Sequence, residues 1–220
     1  MDYATLLYLA ELLGVAVFAV TGAIAAQGKQ LDIFGVVVLA IVTALGGGTI
    51  RDITLDSHPL IWISDVSLLW TAIISAVLAF ILCRYLRYPR RLMLVLDAMG
   101  LALFAIGGAE KAMAAELPTL IVVMMAVITG CAGGMIRDML TGEIPSILRS
   151  ELYATCAVAG GCFYVMFYDY MDARFVALAA MLLIFLLRLA TVFARLRLPQ
   201  FVMAGHRLES AREARDKERD

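Results

Sequence analysis

Six charged residues stand where charge is expensive. Arg51-Asp52 and Arg137-Asp138 each end a long apolar run, and Glu11 and Asp97 interrupt two others. A charge at membrane depth costs several kcal/mol unless it is paired or hydrated, so such residues point to a polar path or a binding site. Gly46, Gly47 and Gly48 precede the first pair in ALGGGTIRD, and Gly133 and Gly134 precede the second in GCAGGMIRD. Each glycine costs about 1 kcal/mol in a helix interior. The two runs therefore predict a kink or an unwound turn at each place. Carbonyls bared there must face protein or water, and they suit a monovalent cation that trades part of its hydration for dipoles. Close helix packing is the other use of glycine in a membrane. Snorkelling to the headgroups is the other use of the arginines.

The six charges are not independent. A shift of 86 residues lays AELLGVAVFAVTGA at Ala10 over LDAMGLALFAIGGA at Leu96, and GGGTIRD at Gly46 over AGGMIRD at Ala132. Glu11 falls on Asp97, Arg51 on Arg137, Thr43 on Thr129 and Pro59 on Pro145. Matches of Gly, Pro, Arg and Asp do not follow from apolar bias, so the chain is read as an internal duplication. The repeat predicts two clusters, Glu11 beside Arg51 and Asp97 beside Arg137. Thr49, like Thr21, Thr43 and Thr129, either adds a hydroxyl to the path or bonds its own helix.

The elements that must hold these residues follow from composition. Of 220 residues 63% are hydrophobic, 17% are charged, and the mean hydropathy is +0.90. That is the make-up of a multi-pass membrane protein. Seven runs approach the roughly 20 residues that cross a bilayer: Ala4–Ala26, Ile33–Ile50, Val66–Cys83, Leu92–Ala112, Leu117–Ile136, Leu152–Tyr168 and Arg174–Ala194. The expected fold is all-α, with residues 1–86 and 87–172 as three-helix repeats, 173–195 as a seventh span and 196–220 as a charged tail. An odd number of spans per repeat inverts the second copy. Arg84, Arg87, Arg90 and Arg91 crowd the third connection, and Lys29, Arg149, Arg195 and Arg197 fall on the same side. Positive loops stay inside, which places the N-terminus outside and the C-terminus inside.

The remaining features are blander. Cys83, Cys131, Cys156 and Cys162 lie in apolar runs without CxxC spacing and read as packing residues. Glu110-Lys111 has no counterpart at Ile24-Ala25 and reads either as a vestibule pair or as a snorkelled helix end. The tail ESAREARDKERD mixes signs as a solvated segment does. A basic signal-peptide region is missing from the N-terminus. No nucleophile–base set, phosphate loop or metal-ligand cluster appears, so the chain is not read as an enzyme, and no nucleic-acid partner, cofactor or structural metal is expected.

The doubled GGGxxRD and GGxxRD motifs, seven spans and inverted halves resemble the prokaryotic trimeric intracellular cation channels over residues 1 to about 195. That resemblance implies a homotrimer in the cell (inner) membrane, with a potassium pore in each subunit between kinked helices two and five. It places Gly46, Gly47, Gly48, Arg51 and Asp52, with Gly133, Gly134, Arg137 and Asp138, along the pore, and K+ passing transiently near the glycines. Ala132 departs from the triple glycine, so a milder second kink is expected. Membrane lipids are the other expected partners, and a bound lipid is compatible with the chain. The sequence is also similar to bacterial membrane proteins described as glycine transporters. In that reading an arginine takes the carboxylate, and Glu11 or Asp97 takes the amine.

Overall fold

Apolar runs of this length can satisfy their backbone in lipid only as helices or closed barrels, and this chain forms helices. The computed structural model describes residues 2–85, 90–148 and 152–194, and no strand occurs among them. The helices are α1 (Tyr3–Ala25), α2 (Ile33–Thr54), the short α3 (Ile61–Ser64), α4 (Val66–Tyr85), α5 (Arg90–Ala114), α6 (Thr119–Leu140), α7 (Ala154–Tyr168) and α8 (Ala173–Phe193). A 3₁₀ turn at Ser146–Leu148 follows α6 as α3 follows α2. Helix starts carry their expected chemistry: Asp2 Oδ1 accepts from the Thr5 amide at 3.2 Å, and Asp32 Oδ1 accepts from the Gly35 amide at 2.7 Å. Each carboxylate satisfies an amide that has no partner inside its helix. Past the end of α6 the chain turns through Gly142 at φ 73°, a left-handed conformation that glycine adopts without a Cβ clash.

Among the described residues five helices, α1, α2, α5, α6 and α8, are long and apolar enough to cross a membrane. The third expected span is met by α4, whose 20 residues run past its expected end at Cys83, while the sixth is shorter: α7 has 15 residues. At 1.5 Å per residue α7 reaches about 22 Å, less than a full hydrocarbon core. The chain is an all-α membrane protein. The orienting residues Arg87, Arg149, Arg195 and Arg197, and the tail, lie outside the described residues.

Four helices form the centre. α1 packs on α2 and α5, and α6 closes the ring by packing on both of those. α4 leans on α1 and α2, while α7 and α8 pack on each other and against α6 and α5 respectively. The shift of 86 residues carries Ile33–Thr54 onto Thr119–Leu140, so α2 maps onto α6 end to end. Contacts map as well. A Cβ on Gly14 would press on Phe104, and one on Gly100 would press on Phe18. The two rings stack with centroids 5.2 Å apart. A Cβ on Gly47 would enter the Thr129 carbonyl oxygen, and one on Gly133 would enter that of Thr43. Each contact recurs with its members exchanged, as a two-fold axis requires.

These contacts correct the expectation of broken helices. α2 is helical from Ile33 through Thr54 and α6 from Thr119 through Leu140, glycines included. Gly47 and Gly133 let the two backbones touch where they cross. The packing gained there offsets the low helix propensity of the residues that make it. No unwound turn bares its carbonyls at either place.

Candidate functional site

The last turns of α2 and α6 each present an arginine followed by an aspartate, and both pairs are buried. Arg51 Nε donates to Asp52 Oδ1 at 2.7 Å, and Arg51 Nη2 lies 3.7 Å from Glu11 Oε1. Asp52 Oδ1 also accepts from Lys111 Nζ at 2.8 Å, and its Oδ2 accepts from the Ile61 amide at 3.0 Å. Arg137 is bound more fully. Its Nε and Nη2 donate to Asp138 Oδ1 at 3.0 and 2.8 Å, and its Nη1 donates to Asp97 Oδ1 at 2.9 Å and to Thr21 Oγ1 at 3.1 Å. Asp138 Oδ2 accepts from the Ser146 amide at 3.0 Å. Each aspartate thus ties its arginine to the short helical turn that follows.

The clusters sit at opposite ends of the bundle. Asp97 and Lys111 are 14 residues apart on α5, about 21 Å along the axis. A cavity of about 360 Å³ opens at the Arg137 end, lined by Asp97, Arg137, Asp138, Thr141, Lys29 and Glu143 among others. Lys29 Nζ and Glu143 Oε1 pair at 3.0 Å across its rim. A smaller cavity of about 130 Å³ lies at the Arg51 end, lined by Glu11, Arg51, Phe104, Gly107, Glu110 and Lys111 with apolar neighbours. One arginine faces two aspartates in the first cluster, and two cations face three carboxylates in the second, so each carries a formal charge of −1.

The residues singled out by sequence divide three ways. Glu11, Arg51 and Asp52 come together with Gly48, whose Cβ would stand 3.9 Å from Arg51 Nη2. Asp97, Arg137 and Asp138 come together with Gly134, whose Cβ would stand 3.4 Å from Asp97 Oδ1. Gly47 and Gly133 belong to the helix crossing. Gly46 and Thr49 are elsewhere: they line an apolar groove of about 290 Å³ with Ile41, Leu45, Trp62 and Ile136. There Thr49 Oγ1 donates to Leu45 O at 2.8 Å and accepts from Trp62 Nε1 at 3.1 Å. The triple glycine thus turns three faces to three surroundings, because successive helix residues point about 100° apart.

Two participants escaped the sequence reading, and a third was read without its partner. Lys111, read with Glu110 as a vestibule pair or a snorkelled helix end, lines the cavity beside Glu110 and joins Asp52. Tyr153 is buried with its hydroxyl 3.3 Å from where a Gly134 Cβ would stand. The guanidinium of buried Arg188 lies over the Tyr153 ring, 4.6 Å from its centroid, a cation–π contact. The signal for Arg188 was present: it is a lone charge within the apolar run of α8.

Known proteins carry the same architecture. The family model described as "Glycine transporter" matches twice, over residues 8–84 and 94–169, and the matches start 86 residues apart. The trimeric intracellular cation (TRIC) channel orthologue from Rhodobacter sphaeroides has a TM-score of 0.83 and 37% identity, covering 87% of this chain and all of that one. The chain belongs to the TRIC family. Other TRIC relatives are a UPF0126 membrane protein of Vibrio cholerae, 45% identical over 90% of this chain and 84% of its own length, and an Escherichia coli protein. The latter, the UPF0126 inner membrane protein YadS, is 43% identical over 90% of this chain and 97% of its own length. With its apolar helices, this member of the TRIC family is a multi-pass protein of the inner membrane.

Proposed function

We propose that the chain conducts monovalent cations, potassium among them, along a path in each subunit between α1, α2, α5 and α6, and that it assembles as a homotrimer. The observation that carries this reading is the pair of charged cavities at opposite ends of the four-helix centre. Each holds a buried arginine outweighed by carboxylates, an excess of negative charge that attracts cations. Glu11, Gly48, Arg51 and Asp52 stand along one end, and Asp97, Gly134, Arg137 and Asp138 along the other. With carbonyls still engaged in helix bonds, K+ is handled by carboxylates and water at the two ends rather than by bare backbone at the glycines. The trimeric channel orthologue supports both the ion class and the assembly. By the arginine count of the loops, the Arg51 cavity opens outward and the Arg137 cavity inward.

A second reading is favoured by one observation. Buried Arg51 Nη2 has no hydrogen-bond partner. Beside Lys111 and Glu11 it can take the carboxylate of glycine while Glu11 takes the amine, which agrees with the description of the family. Purified protein in liposomes decides between the two. Unitary potassium currents far above carrier turnover are expected. Saturable glycine uptake without unitary current would overturn the channel reading.

A further inference from the structure

We infer that Arg51 is the moving charge of this path, and that Gly107 is the residue that leaves it free to move. The inference rests on the permeation reading and adds its gate. The two arginines are equivalent under the shift of 86 residues, yet they are held differently. Arg137 donates four hydrogen bonds, one of them to Thr21 Oγ1. Arg51 donates one, to Asp52, and its buried Nη2 has none. The same shift explains the difference: Thr21 corresponds to Gly107. Where the Arg137 cluster has a hydroxyl acceptor, the Arg51 cluster has no side chain. A Cβ built on Gly107 would meet nothing within 4 Å, and Gly107 lines the same cavity as Arg51. The space is open and the donor beside it is unsatisfied.

A buried donor without an acceptor is unfavourable, so other placements of this guanidinium compete with the one observed. Two carboxylates face it besides Asp52. Glu11 lies 3.7 Å away, and Glu110 lines the cavity beside Lys111. Turned into the cavity toward Glu110, Arg51 puts a positive charge across the route of a cation. Drawn back against Glu11 and Asp52, it clears that route and leaves a carboxylate to attract the ion. Arg137, bound on all sides, stays still and serves as a fixed wall.

Reactivity with phenylglyoxal, read by peptide mass spectrometry on the full-length protein in vesicles, tests this. The two side chains are equally buried, 3% and 2% exposed, so a difference in rate reports movement rather than static access. Arg51 is expected to be modified at least about tenfold faster than Arg137, the worth of one hydrogen bond. Gly107→Thr supplies the missing acceptor; it should slow modification of Arg51 to the rate of Arg137 and lower potassium flux in the same vesicles. Gly107→Val has the same bulk without the acceptor and should leave Arg51 reactive. Equal rates at Arg51 and Arg137, or equal protection by valine and threonine, would overturn the inference. Absence of potassium flux in the parent protein would instead refute the permeation reading, and the modification pattern would still decide whether Arg51 moves.

Discussion

The buried arginines set the energetics of the site residue by residue. Removing one partner of a buried ion pair costs about 3–5 kcal/mol, because the other charge is left unpaired. Arg137→Ala strands both Asp97 and Asp138 and should lower the thermal midpoint of the detergent-solubilised protein by many degrees. Arg51→Ala leaves Asp52 with Lys111 and the Ile61 amide and deprives only the partly exposed Glu11 of its partner, so it should cost less, about 1–3 kcal/mol. Parallel melting curves check both; equal losses would mean that the two arginines are held alike. Much of this was legible beforehand. The repeat pairs Glu11 with Arg51 and Asp97 with Arg137, and both pairings are present. Lys111 and Tyr153 were not legible as partners, because neither has a repeat counterpart of its own chemistry at Ala25 and Ser67. Only the fold shows what lies opposite them.

At the scale of the helix, glycine was misread. Its local propensity is unfavourable in any helix, and three in a row read as a break when the neighbour is unknown. With α6 alongside, the same absence of side chains is what brings the backbones together. Gly133→Ala inserts a methyl into the Thr43 carbonyl and forces α2 and α6 apart. The expected loss is about 1–3 kcal/mol, as for other overpacked positions, read as a lower thermal midpoint of the purified protein. An unchanged midpoint would show that the crossing has slack. Helix lengths, by contrast, were largely written in the apolar runs: expected and observed starts agree at Ile33 and Val66, and α2 outlasts its expected end by one turn. That extra turn carries Arg51 and Asp52, whose charges end the apolar run but which stay buried and helical.

At the scale of the whole molecule, charge balance governs which ions enter. Asp97→Asn brings the Arg137 cluster from a formal −1 to neutrality while keeping an oxygen to accept from Arg137. Under a potassium chloride gradient the reversal potential should move toward zero as discrimination against chloride falls; an unmoved potential would remove this cluster from the selectivity mechanism. The axis relating the halves has a separate effect on how substitutions combine. Gly47 against Thr129 and Gly133 against Thr43 are two views of one interface. Once a first alanine has pried the helices open, a second enters space already made. The double variant Gly47→Ala/Gly133→Ala is therefore expected to lose much less than the two single losses summed, an epistasis built into the crossing by gene duplication. Drift at one glycine relaxes constraint on its twin, so descendants of this chain would shed the pair together more readily than either alone.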